Sequence, residues 1–145
     1  MAAAVLPGGY VLPQLFTSNG AITVGSPVFR SAANTIQTAS DTNDATTQTK
    51  DVFGIYNGNS TGGDAATADA TCTVAIGPCE VNGGNAITPG DMVTASFSAT
   101  AGRTECKAGL APVTDDTFLG MAIGEGAAAG KVAIDVRPTF ITHRA

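Results

Sequence analysis

Charge is scarce in this 145-residue chain: Asp, Glu, Lys and Arg together make up 13% of it, about half the share usual in soluble proteins. Seven basic residues stand against twelve acidic ones. They form no basic cluster, so there is no means of neutralising nucleic-acid phosphates. Tryptophan is absent, and His143 is the only histidine. Three cysteines, with no C-x-x-C pair, leave too few ligands for a zinc site. No apolar run approaches the roughly 20 residues of a spanning helix. The N-terminal run is broken by Pro7, Gly8, Gly9 and Pro13, and no basic residue precedes Arg30. These features predict a soluble protein made in a cytoplasm, with neither membrane nor nucleic-acid partners. Few Leu, Glu, Lys and Arg at helical spacing exclude a helical bundle or coiled coil. Hydrophobic residues at 43% with a net charge of -5 disfavour disorder.

Glycine, threonine and alanine dominate what is present, and they fall into a duplicated pattern. Ala21-Ile-Thr-Val-Gly-Ser-Pro-Val28 matches Ala86-Ile-Thr-Pro-Gly-Asp-Met-Val93. Val52-Phe-Gly-Ile55 then matches Phe118-Leu-Gly-Met121, and Val74-Ala-Ile76 matches Val132-Ala-Ile134. Three matches in the same order predict two tandem pseudo-repeats, about 21–81 and 86–137. Gly25, Gly54, Gly90 and Gly120 are read as structural turns, where glycine tolerates φ > 0. Residues 28–39 and 92–107 each read as a hairpin. Val93, Ala95 and Phe97 alternate with polar residues, as Val132, Ile134 and Val136 do, giving one buried and one wet face. Pro138 is expected to end the last strand. Segments 40–49 and 60–70 read as loops or short helical turns. The fold class expected is all-β, a small sandwich or barrel with little helix. A single β domain over 17–138 is flanked by an apolar arm, 1–16, and a tail, 139–145. The arm either packs on its own domain or reaches a neighbour. The loop 57–70, about eight residues longer than its counterpart at 124–130, is expected to face outward or toward a symmetry mate.

Chemistry is hard to find. Gly124-Glu-Gly-Ala-Ala-Ala-Gly-Lys131 imitates a phosphate loop, but its spacing is one residue too long and Val132 replaces the required Ser or Thr. It also precedes a strand, whereas a phosphate loop opens a helix. Asp91, Glu125 and the Asp115-Asp116 pair sit in turn-like sequence, where Asp bonds local backbone. Asp41, Asp44, Asp64 and Asp69 lack calcium-loop spacing. There is no Gly-x-Ser-x-Gly elbow, and His143 lies three residues from the end. Asn59-Ser-Thr61 spells a glycosylation sequon but reads as plain loop. Cys72, Cys79 and Cys106 read as small buried thiols; a Cys72–Cys79 bridge requires the two to face each other across a turn at Gly77-Pro78. The expectation is a protein without catalytic residues, metal or cofactor.

The motifs Ile22-Thr-Val-Gly-Ser-Pro-Val28, Asp51-Val-Phe-Gly-Ile55, Gly84-Asn-Ala-Ile-Thr-Pro-Gly-Asp-Met-Val93, Leu119-Gly-Met-Ala-Ile-Gly124 and Gly130-Lys-Val-Ala-Ile-Asp-Val136 together resemble small tailed-phage capsid decoration proteins, also called head stabilisation or cement proteins. The resemblance spans about residues 20 to 137, and its motifs are structural. It implies a non-enzymatic virion protein that binds the outer surface of an expanded capsid. The major capsid protein would be its partner, and its own copies would form a homotrimer. The long loop and the apolar arm depart from the family pattern. Leu6, Tyr10, Leu12, Leu15 and Phe16 are the expected capsid or subunit contacts. The alternative reading is a virion surface domain for host or glycan recognition, which needs a cleft with aromatics to stack on sugars.

Overall fold

The computed structural model describes residues 3–38, 52–98, 103–108, 117–127 and 130–140. Among them are ten strands and no helix: β1 (Tyr10–Val11), β2 (Thr17–Ser18), β3 (Pro27–Ala32), β4 (Thr35–Gln37), β5 (Val52–Gly58), β6 (Thr73–Asn82), β7 (Met92–Ser98), β8 (Arg103–Ala108), β9 (Thr117–Ala122) and β10 (Lys131–Phe140). The expected segment 40–49, the pair Asp115-Asp116 and His143 lie outside the described residues.

Strand pairing follows the order β2-β4-β3-β5-β6-β10-β9-β7-β8, with β1 added on β6. Outward from the centre, the first half reads β6-β5-β3-β4 and the second β10-β9-β7-β8. Both expected hairpins form, β3 with β4 and β7 with β8. The two central strands run antiparallel, from Lys131 opposite Asn82 to Val136 opposite Gly77. One apolar core joins both halves, with Val28, Ile36, Ile55 and Val74 from the first and Val93, Leu119, Val132 and Ile134 from the second. The β-branched content of these strands suits a pleated, packed surface.

The two Ile-Thr-x-Gly segments form the same turn. In the first, the Gly25 N–H donates to the Tyr56 carbonyl at 3.0 Å, and the Tyr56 N–H returns to Ser26 at 2.9 Å. In the second, Gly90 donates to Ala122 at 2.8 Å, and Ala122 to Asp91 at 2.8 Å. The isoleucines also behave alike, with Ile22 bridging Ala65 and Ile87 bridging Gly126. Gly25 and Gly90 have φ of 92° and 93°, the left-handed region that glycine enters without steric cost.

Several expectations are corrected. Gly54 and Gly120 are not turn residues; they lie within β5 and β9. Their role is close approach: a β-carbon on Gly54 would overlap Val74, and one on Gly120 would overlap the Asp135 carbonyl oxygen. Pro138 does not end β10, which continues to Phe140. The register against β9 shifts between Val136 and Thr139, and a bulge is where a strand accommodates proline. Val132, Ile134 and Val136 are buried as expected, but Thr94 is buried beside Val93 and Ala95. A register shift between Val93 and Thr94 against β9 interrupts the alternation there. The burial of Phe97 lies outside the described residues. Cys72 and Cys79 are not bonded. Gly77-Pro78 makes no hairpin but lies inside β6, so seven residues of nearly extended chain, about 3.3 Å each, hold the thiols apart.

Candidate functional site

The N-terminal arm lies along one edge of β6 for almost its whole length. Phe16 exchanges backbone hydrogen bonds with Cys72 at 2.9 and 3.0 Å; Leu12 donates to Val74 at 2.8 Å and Leu6 to Pro78 at 2.9 Å. The Glu80 N–H reaches the Ala4 carbonyl at 2.7 Å. Pro7 and Gly8 do not end this pairing. They form a tight turn in which Gly9 donates to Leu6 at 2.8 Å, with Gly8 at φ 89°. Proline followed by a glycine at positive φ suits the centre of such a turn. Asn57 secures the arm's start, its Oδ1 accepting from the N–H groups of Ala4 at 3.0 Å and Val5 at 2.9 Å.

The other edge of β6 changes partner part-way. At Ala75 the arm's Val11 lies on one side and Ile55 of β5 on the other. At Cys79 the arm's Val5 lies on one side and Ile134 of β10 on the other. One strand thus serves both halves of the molecule. Gly77, with φ 77°, sits where the change occurs.

The five expected contact residues have different surroundings. Phe16 is buried in the core, while Leu6 and Leu12 are half-buried. Tyr10 and Leu15 are 55% and 57% exposed. Above Phe16, the Arg30 guanidinium stacks at 5.3 Å from its ring centre and 5.0 Å from that of Phe53.

Tyr10 borders an open groove of about 380 Å³ between the arm and the middle of β6 and β10, lined also by Gly8, Ile76, Gly77, Pro78, Asp135, Val136 and Arg137. In it the Arg137 Nε donates to Asp135 Oδ2 at 2.9 Å. Asp135 Oδ1 is buried and has no hydrogen-bond partner among the described residues. Asp135 also stands in a row of facing residues across four strands. Met92 pairs with Met121, Met121 with Asp135, and Asp135 with Pro78. Facing residues of paired strands project from the same side of the sheet. Met92 and Met121 are about half exposed, as is Ile123 just beyond β9. Sequence reading missed this apolar face, because only the cross-strand register brings the three residues together.

The long loop is anchored to its own chain at Ala65, while Ser60, Thr61 and residues 66–68 stay exposed on its outer side. Ala65 is buried and bridges Ile22, and the Val24 N–H donates to Asp64 Oδ1 at 2.8 Å. The Asn59 side chain organises the turn, its Oδ1 accepting from Thr61 and Gly63 and its amide donating to Asp69 Oδ2 at 2.8 Å. The sequon asparagine is therefore a structural one. Below it, the buried Tyr56 donates its hydroxyl to Gly63 at 2.8 Å.

The titratable groups here are set by packing. Burial pushes the Tyr56 phenol above its usual range, with the nearby Cys72 and Asp69 adding to it. Hydrogen bonds from the Thr71 backbone and then the Asn59 side chain hold the Asp69 carboxyl below its usual range. Burial raises the Cys72 thiol, and it raises Cys79 to about 12, with Asp135 adding to the effect. A raised thiol is a poor nucleophile at neutral pH. Asp91 accepts from the Thr88 N–H at 2.9 Å, a local turn contact. Among the described residues, no three His, Cys, Asp or Glu side chains group closely enough to hold a metal ion.

No family model and no curated protein matches the chain. Among solved structures it is similar to the crystal structure of the head fiber gp8.5 N base in bacteriophage phi29. The TM-score is 0.49 at 13% sequence identity, and the match covers 93% of this chain and 99% of that one.

Proposed function

We propose that the protein is a non-enzymatic phage decoration protein that binds the outer surface of an expanded capsid as a homotrimer and stabilises the shell. The observation that carries this reading is the pair of Ile-Thr-x-Gly turns. The residues that give the chain its resemblance to decoration proteins make equivalent hydrogen bonds in both halves. They are structural determinants, as that resemblance requires. The physical logic is mass action, since a protein that binds the assembled lattice and not its separated subunits stabilises the lattice by its binding free energy. Repetition around the shell multiplies small contacts through multivalency.

Within this reading Tyr10 and Leu15, with the half-buried Leu6 and Leu12 beside them, mark the capsid or subunit contact, and the expected contact at Phe16 is corrected because that side chain is buried in the core. Tyr10 and Leu15 present exposed side chains, and Phe16 holds the arm in place from the core. The test is co-sedimentation of purified protein with undecorated, expanded capsids of the parent phage, followed by a heat challenge. Saturable binding at a fixed ratio to shell protein, with a higher disruption temperature, is the expected result. Absence of co-sedimentation refutes the reading.

A further inference from the structure

The side chains of Met92, Met121 and Ile123 stand outside the apolar core. The three side chains are 49%, 48% and 51% exposed, although large apolar residues ordinarily favour the interior. Met92 and Met121 face each other across paired strands, about 5 Å apart, and Ile123 lies two residues further along the same side. Singly exposed apolar residues need no explanation; adjoining ones mark interaction surfaces. Methionine, unbranched and polarizable, adapts to an irregular partner surface.

The charges around this face indicate what it meets. Asp91 adjoins Met92, and Glu125 follows Ile123 by two residues. Asp135 is the cross-strand neighbour of Met121, and Glu80 faces Ala133, whose carbonyl accepts the Ile123 N–H at 2.9 Å. On the same strands the cations are Lys131, whose Nζ donates to the Val24 carbonyl and keeps its charge, and Arg137, whose charge is offset by Asp135; Asp91, Glu125 and Glu80 remain against Lys131. The rim is therefore acidic on balance, as is the whole chain at net -5. Two copies meeting face to face through this surface would bring like charges together, whereas a basic partner gains from the same arrangement.

We propose that the face centred on Met92, Met121 and Ile123 docks a different protein, one whose surface presents aliphatic side chains ringed by Lys or Arg. Resting on the function proposed above, this makes the face a capsid-binding surface. The experiment compares wild type with Met121→Glu and Ile123→Glu, using undecorated expanded capsids of the parent phage as the probe. Thermal melting and light scattering are run in parallel. The expected result is capsid binding weakened about tenfold or more by each substitution, with melting temperature and subunit number unchanged. Wild-type binding should also weaken as salt rises, because the rim attraction is screened. Wild type that binds capsids while both variants bind equally well overturns the face and leaves the decoration reading intact. Variants with a changed subunit number overturn it too, by making the partner another copy of this chain. Wild type that does not bind capsids overturns both proposals. Met92→Glu, on the neighbouring strand, supplies the same readout if either β9-side variant melts early.

Discussion

The position a β-carbon would take on Gly120 is already occupied by the main-chain carbonyl of Asp135. Gly120 pairs with Val136 at φ 146°, so β9 and β10 meet more closely there than any other residue allows. The alternative is to move β10, which also carries Ile134 and Val136 into the core. Gly120→Ala should therefore cost about 3 kcal/mol, from overpacking and a strained backbone together. Chemical denaturation would measure it. A loss below about 0.5 kcal/mol would show that the strands separate freely there.

Asn57 is the acceptor that fixes the start of the arm, through Ala4 and Val5. Asn57→Ala leaves two partly buried N–H groups without that acceptor, at a cost of about 1–3 kcal/mol. Limited proteolysis should cut first within residues 3–9, while the rest of the domain remains resistant. Unchanged cleavage kinetics would contradict the role given to Asn57.

Arg30 shields two aromatic rings with one guanidinium. Arg30→Ala should lower stability by about 1 kcal/mol, and Arg30→Lys by less, because a lysine keeps the charge but loses the planar stack. Thermal melts of the two variants give the comparison. Equal losses would place the whole effect in the planar stack, whereas an Arg30→Lys protein as stable as wild type would place it in charge and side-chain packing and overturn the stacking role.

Cys79 is held protonated to about pH 12, against an ordinary value of 9.0. Between these values the unfolded chain releases a proton that the folded chain retains, which favours unfolding. The contribution of this thiol is thus fully present below about pH 9 and is lost as pH rises toward 12. Cys72 shifts in the same direction. Denaturant midpoints should fall through this alkaline window, and the decline should shrink in Cys79→Ala. Iodoacetamide should label both thiols only as the domain unfolds.

On the proposed capsid contact, Tyr10→Ala and Leu15→Ala should reduce capsid occupancy with little effect on melting temperature, since both side chains are already more than half exposed. Occupancy equal to wild type for both would remove the arm from the contact.

What the sequence made legible is local. The two Ile-Thr-x-Gly turns, the hairpins at β3–β4 and β7–β8, and the alternation of Val132, Ile134 and Val136 each depend on residues a few positions apart. Features that depend on distant neighbours were not legible. Gly54 and Gly120 look like turn glycines until the strands they approach are known. Gly77-Pro78 looks like a hairpin until β1, β6 and β10 are aligned. The arm carries no strand periodicity, because Pro7, Gly8 and Gly9 interrupt it, yet it follows β6 on both sides of that turn. The apolar face emerges only from the register that sets Met92 opposite Met121.

The sharing of β6 between the two halves has a consequence for how the chain matures. The arm is synthesised long before the strand it pairs with, so Leu6, Val11, Leu12 and Phe16 stay without their final contacts until β6 has emerged. Even then β6 is incomplete on its other edge, since the residues that close it at Cys79 belong to β10, four strands later in the chain. Late, non-local closure of this kind slows folding and leaves an unpaired strand edge open to other chains. A nascent molecule would thus be most vulnerable to mispairing with its siblings between the completion of β6 and the arrival of β10.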